Sequence, residues 1–185
     1  MTHDDPPALP EFDRRPPVTD KAVQYRIYRV GTGAGLRIVC LSPDLLGIHT
    51  HWIGGGTRPC LSGGVCLPCQ HGVRRDWHAW VTGYDPTNGH IRIVELTENA
   101  AGPPARWIDS TGTLRGARLT LRRPGGRKTS PLVSEVEAGS VPAELLPPDA
   151  DRVRCLLRLW RLPDTHLAAI STSDLSGISL KLREA

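Results

Sequence analysis

The stretch Asp76-Trp77-His78-Ala79-Trp80-Val81-Thr82-Gly83-Tyr84, followed by Asp85-Pro86-Thr87-Asn88-Gly89 and His90-Ile91-Arg92-Ile93-Val94-Glu95-Leu96, decides the fold class. Its first and last parts are rich in β-branched and aromatic residues, and Asn-Gly between two such runs is a hairpin signal because it tolerates the positive φ of a tight reversal. Two paired strands are therefore expected. On the first, Trp77, Ala79 and Val81 fall on one face, and His78, Trp80, Thr82 and Tyr84 on the other. The first set suits a core, which leaves Trp80 and Tyr84 as the expected exposed pair.

The same period-2 pattern continues outward. Val23, Tyr25 and Ile27 alternate with polar neighbours, and Gly31-Thr32-Gly33-Ala34-Gly35 separates them from a second apolar run, Leu36 to Leu41. The glycine run leads into a strand pattern and lacks the Gly-Lys-Ser/Thr ending of a phosphate loop, so it reads as a hairpin turn. Downstream, Gly102-Pro103-Pro104 reads as a break. Ala117, Leu119 and Leu121 then share one strand face, with Arg118, Thr120 and Arg122 on the other, and Leu132 to Glu137 completes another hairpin. A helix is expected over 149–161: Asp149 or Asp151 can cap it, Val153, Leu156, Leu157 and Trp160 form an apolar stripe, and Pro163 ends it. Five or six short strands and one late helix predict a mainly β domain over 21–162. The expected form is a small barrel of the oligonucleotide-binding type with a zinc loop inserted at about 49–71. A Pro-rich arm over 1–20 and a polar tail over 163–185, with a short strand at Ile178 to Leu182, flank it.

The inserted loop holds the chemistry. His51-Trp52-Ile53-Gly54-Gly55-Gly56-Thr57-Arg58-Pro59-Cys60 runs on to Cys66-Leu67-Pro68-Cys69, placing three of the five cysteines beside a histidine. Cys-x-x-Cys closes a tight chelate, and Cys60 and His51 supply two more vertices of a tetrahedral Zn²⁺ site. His49 and His71 are alternative fourth ligands; His51 is preferred because the segment to Cys60 loops back easily, whereas His71 lies too close to Cys69. A disulfide framework would leave one of the three cysteines over, and a Cys-x-x-Cys redox motif lacks its usual βαβ surroundings. Cys40 and Cys155 sit in apolar runs and read as core residues.

The net charge of +4 is modest but unevenly spread. Arg106, Arg115, Arg118, Arg122, Arg123, Arg127 and Lys128 crowd one stretch against Asp109, while the arm is acidic. Such a basic stretch suits a polyanion. Single-strand binders pair cations with flat side chains on which bases stack. The candidate contacts are the cations Arg58, Arg74, Arg75, Arg118, Arg122, Arg123, Arg127 and Lys128 and the aromatics Tyr28, Trp52, Trp80 and Tyr84. Arg74-Arg75-Asp76-Trp77-His78-Ala79-Trp80 interleaves both types directly after the zinc loop. No apolar run approaches the roughly 20 residues of a membrane span, so an intracellular, cytoplasmic protein is expected. No catalytic role is expected: three thiolates and an imidazole make a closed structural site, and Gly-x-Ser-x-Gly is missing. An open zinc with Asp44, His49, Asp76 or His78 as base is the enzymatic rival, and an adaptor in a phage, transposon or RNA-guided defence complex is the other.

The order His51, Cys60, Cys66, Cys69 within a β-rich domain resembles the single-stranded-DNA-binding protein family of T-even bacteriophages. The resemblance covers about residues 22 to 137. It implies one structural zinc, an oligonucleotide-binding barrel and binding of single-stranded DNA, in preference to RNA, without strong sequence preference. The His-to-Cys and first Cys-to-Cys gaps are shorter here, and Lys181 and Arg183 stand where that family has an acidic tail.

Overall fold

The structure, a computed structural model, describes residues 27–61, 66–125, 130–139 and 141–160. The expected arm, the strand start at Val23 and Tyr25, the loop cations Arg127 and Lys128, and the tail with its expected strand lie outside the described residues. The chain is mainly β. Among the described residues, eight strands form one mixed sheet, with three α-helices beside it.

The hairpin that decided the fold class is its centre. β5 (Asp76–Asp85) and β6 (His90–Thr97) pair antiparallel from His78↔Thr97 to Asp85↔His90. The turn between them closes on Gly89 at φ +66° and on Asp85, whose carboxylate accepts bonds from the Thr87 amide and the Asn88 side chain. The other edge of β5 is shared by two strands. β2 (Gly35–Cys40) pairs with its C-terminal end at Cys40↔Gly83, and β3 (Leu46–Ile53) with its N-terminal end from Leu46↔Trp80 to Thr50↔Asp76. From this fork the sheet runs two ways. β2 continues to β7 (Arg118–Arg122) and β8 (Val133–Glu137), whereas β3 turns back into β4 (Gly56–Pro59).

Three sequence expectations change. β1 (Ile27–Tyr28) does not hairpin with β2; it pairs parallel to β6, because β5 and β7 already take both edges of β2. Gly102-Pro103-Pro104 does not break the chain but lies inside α2 (Glu98–Thr111). Pro104 offers no N–H to the Ala100 carbonyl, and the buried Ser134 hydroxyl of β8 donates to it instead at 2.6 Å. The Asn99 carbonyl left over by Pro103 belongs to an exposed first-turn residue, where water can serve it. Third, no ladder among the described residues returns an outer strand to close the sheet, so the pairing describes an open sheet and shows no barrel.

Both faces of the centre are covered. On one, α2 and the inner residues of β2 and β7 bury Ile38, Ala79, Val81, Leu96, Leu119 and Leu121. On the other, α3 (Arg152–Trp160) packs Leu156 and Trp160 against Ile48, Trp80 and Ile93. The helix is capped as expected by Asp151, whose carboxylate accepts the Arg154 amide. Its apolar stripe serves the chain's own core. Trp80 is therefore fully buried, edge-on to Trp160 at 5.4 Å between ring centroids, and is not the exposed stacking residue that strand alternation suggested. Alternation identifies a face, but only tertiary packing decides whether a helix lies over it.

Candidate metal centre

The inserted segment is more ordered than a loop. β3 and β4 form a hairpin with His51 opposite Arg58 and Trp52 opposite Thr57. Gly54 and Gly55 turn it at φ +59° and +77°, the two successive positive values that a two-residue primed turn demands. That Gly-Gly signal between Ile53 and Gly56 marked a hairpin the sequence reading passed over. The amide of Cys60 bonds the His49 carbonyl at 2.8 Å, so the ladder delivers Cys60 beside β3. Cys66 then caps the single turn α1 (Leu67–Gln70), with Pro68 in that first turn and Cys69 inside it.

Four side chains from these pieces converge. The donor atoms of His51, Cys60, Cys66 and Cys69 all lie within 4.8 Å of one another and can hold a metal ion. His51 Nε2 is 3.3 Å from Cys69 Sγ and 3.4 Å from Cys66 Sγ, and Cys60 Sγ is 3.5 Å from Cys69 Sγ. His51 Nδ1 is 3.0 Å from the Arg74 carbonyl. A carbonyl only accepts, so Nδ1 carries the ring proton and Nε2 turns its lone pair towards the sulfurs, the tautomer a metal ligand needs. Of the three histidines considered, His51 is the one that joins the cluster; His71 is exposed just beyond α1.

The electrostatics ask for a cation. Burial opposes ionisation of Cys66, but backbone amides of Cys69 and Leu61 and the neighbouring thiols outweigh it and bring its pKa down to about 6. Cys69 moves the other way, up to about 11, through its bond to Cys60, its own desolvation and Cys66. One thiolate is favoured and the next suppressed, as expected of like charges sharing one site. A metal ion removes that conflict. His51 and Cys66 are buried, Cys60 is half-buried and Cys69 is exposed, so the cluster sits at the surface with its histidine inward.

The residues nominated as nucleic-acid contacts divide. Trp52, Arg58, Arg74 and Arg75 are all exposed around this corner, with Arg74 paired to Asp76 at 2.7 Å. Tyr84, Arg118 and Arg122 fall on one sheet face with Arg37, a cation the sequence reading did not single out; Arg118 pairs there with Glu137 at 3.1 Å. Tyr28 is half-buried under Arg92, 4.9 Å from its ring centroid, and Arg123 is half-buried after β7. Arg115, counted in the basic stretch, is a structural brace: it donates to the carbonyls of Leu41, Ala143, Leu146 and Pro147. Of the other cysteines, Cys40 is fully buried, which pushes its thiol up to about 12, and Cys155 is half-buried beside the α3 contact.

No helix among the described residues is long and apolar enough to cross a membrane. Scanned against protein-family models, curated proteins and solved structures, the chain matches none. Among the described residues, the Cys₃His cluster is the group that can hold a metal ion.

Proposed function

We propose that this chain is a zinc-stabilised nucleic-acid-binding module acting on single-stranded DNA. The zinc assignment rests on the donor set. Three thiolates and one imidazole suit a borderline-soft ion, and Zn–S of about 2.3 Å with Zn–N of about 2.0 Å gives tetrahedral edges of roughly 3.5 to 3.8 Å. Three of the six donor separations, at 3.3 to 3.5 Å, lie close to those edges, and all six fall within 4.8 Å. Four protein ligands leave no open position for a substrate or an activated water, so the ion is structural.

The observation that carries the binding proposal is the clustering at this corner. The zinc ties the β3–β4 hairpin to α1 and, through His51, to the start of β5, and the exposed side chains there include Arg58, Arg74 and Arg75, with Trp52 and the Arg29 over its ring on the hairpin face opposite Arg58. A flat ring among cations fits an unpaired base and its phosphates. The second basic area, Arg37, Arg118 and Arg122 beside Tyr84, extends the same chemistry over the β2–β7 half of the sheet. DNA is preferred to RNA through the resemblance to the T-even phage family, whose barrel remains part of the proposal.

Oligo-dT binding by the purified chain at low and high salt tests this reading. Binding that weakens steeply with salt, by counterion release, is expected. Absence of binding at low salt would favour an adaptor that touches nucleic acid only within an assembly.

A further inference from the structure

Trp52 stands beside His51 in sequence but on the opposite face of β3, and it is 58% exposed. Among the other tryptophans, Trp80 and Trp160 are buried and Trp77 and Trp107 partly so. An indole left in water forgoes burial free energy that a core position would recover. Yet Trp52 is not loosely placed. The Arg29 guanidinium carbon lies 5.2 Å from its ring centroid, a cation–π contact on one face.

Arg29 is itself held from behind. Its Nε and Nη2 donate to Glu95 Oε2 at 3.0 and 2.9 Å, and Nη2 also donates to the Thr57 hydroxyl at 2.6 Å. Thr57, the ladder partner of Trp52, donates in turn to Glu95 Oε1 at 3.1 Å. Behind the buried carboxylate, His78 Nε2 lies 3.9 Å from Glu95 Oε1, and its Nδ1 is 2.7 Å from the Thr50 hydroxyl. A buried carboxylate with several partners orients a guanidinium firmly. Its bonds use Nε and Nη2, so Nη1 points away from them, and Arg29 remains exposed over 40% of its side chain.

We propose that Trp52 and Arg29 form a subsite for one unpaired nucleotide. The base stacks on the indole face that Arg29 does not cover, and the adjoining phosphate is met by Arg29 Nη1, on the hairpin face that Trp52 shares with Thr57. The Glu95–Thr57–His78 network holds Arg29, and the metal corner holds the hairpin, so the stacking ring is presented ready to bind. This subsite rests on the single-stranded nucleic-acid reading and names where that reading is implemented.

The test is titration of labelled oligo-dT at low salt into the wild-type chain, Trp52→Ala and Trp52→Phe, each checked for zinc content and circular dichroism. Loss of one stacked base weakens binding by between about fivefold and 150-fold. Trp52→Ala is expected within that range, Trp52→Phe within about threefold of wild type, and the quenching of tryptophan emission expected with wild type should vanish in both. If wild type binds and Trp52→Ala, with zinc retained, binds as tightly, the subsite is overturned while the nucleic-acid reading stands. If wild type itself does not bind, both fall.

Discussion

At the level of single residues, three positions account for local features that composition alone would not explain. The Asp85 carboxylate is buried, which would raise its pKa, but bonds from Asn88, the Thr87 amide and Arg92 outweigh burial and hold it below the usual carboxylate range. A folded pKa below the unfolded value of about 3.9 adds stability that is fully present above that value and is lost as pH falls through the folded pKa. Asp85→Asn should therefore destabilise the chain near neutral pH, with the gap to wild type narrowing as urea unfolding is repeated below about pH 4. Ser134→Ala should cost about 1–3 kcal/mol by the same measurement, because it strands the Ala100 carbonyl that Pro104 cannot serve. Gly47→Ala should cost about 1–3 kcal/mol through overpacking, since a Cβ there would overlap the Trp77 indole.

At the level of elements, the metal corner and the β2–β7–β8 half of the sheet draw on different sources of stability. The former joins a four-residue-per-strand hairpin to one helical turn and leaves Leu61 and Leu67 exposed, whereas the latter buries Ile38, Leu119 and Leu121 completely. Structural zinc contributes roughly 10–16 kcal/mol of apparent binding free energy in small domains, comparable with a whole domain's net stability of about 5–15 kcal/mol. Chelation should therefore loosen the corner before the rest. Hydrogen exchange after metal removal should rise sharply over 46–60 and 66–75, while amides of β2 and β7 stay protected. Uniform loss of protection would show that the ion holds the entire fold. Cys66→Ser should reproduce the chelated pattern.

Across the whole molecule, the parts legible in the sequence were those with local signals. The β5–β6 hairpin carried alternation and a turn, the β7–β8 pair carried alternation, α3 carried a stripe and a cap, and the ligand set carried its spacing; all are in the structure. What was illegible depended on distant partners. Pro104 breaks a buried stretch of helix unless a neighbouring strand supplies the missing donor, and Ser134 is 30 residues away. Trp80 looks like an exposed alternate until α3 lies over it, and the parallel docking of β1 on β6 has no hairpin to announce it. The Arg29–Glu95 pair, separated by 66 residues, was equally invisible.

One ion at the Cys₃His cluster ties the hairpin, α1 and the start of β5 together. X-ray absorption at the zinc edge of the full chain, purified under reducing conditions, tests it directly. One zinc per chain with three sulfurs at about 2.3 Å and one nitrogen at about 2.0 Å is the predicted result. A folded chain holding no zinc, or zinc ligated mainly by oxygen, would contradict it.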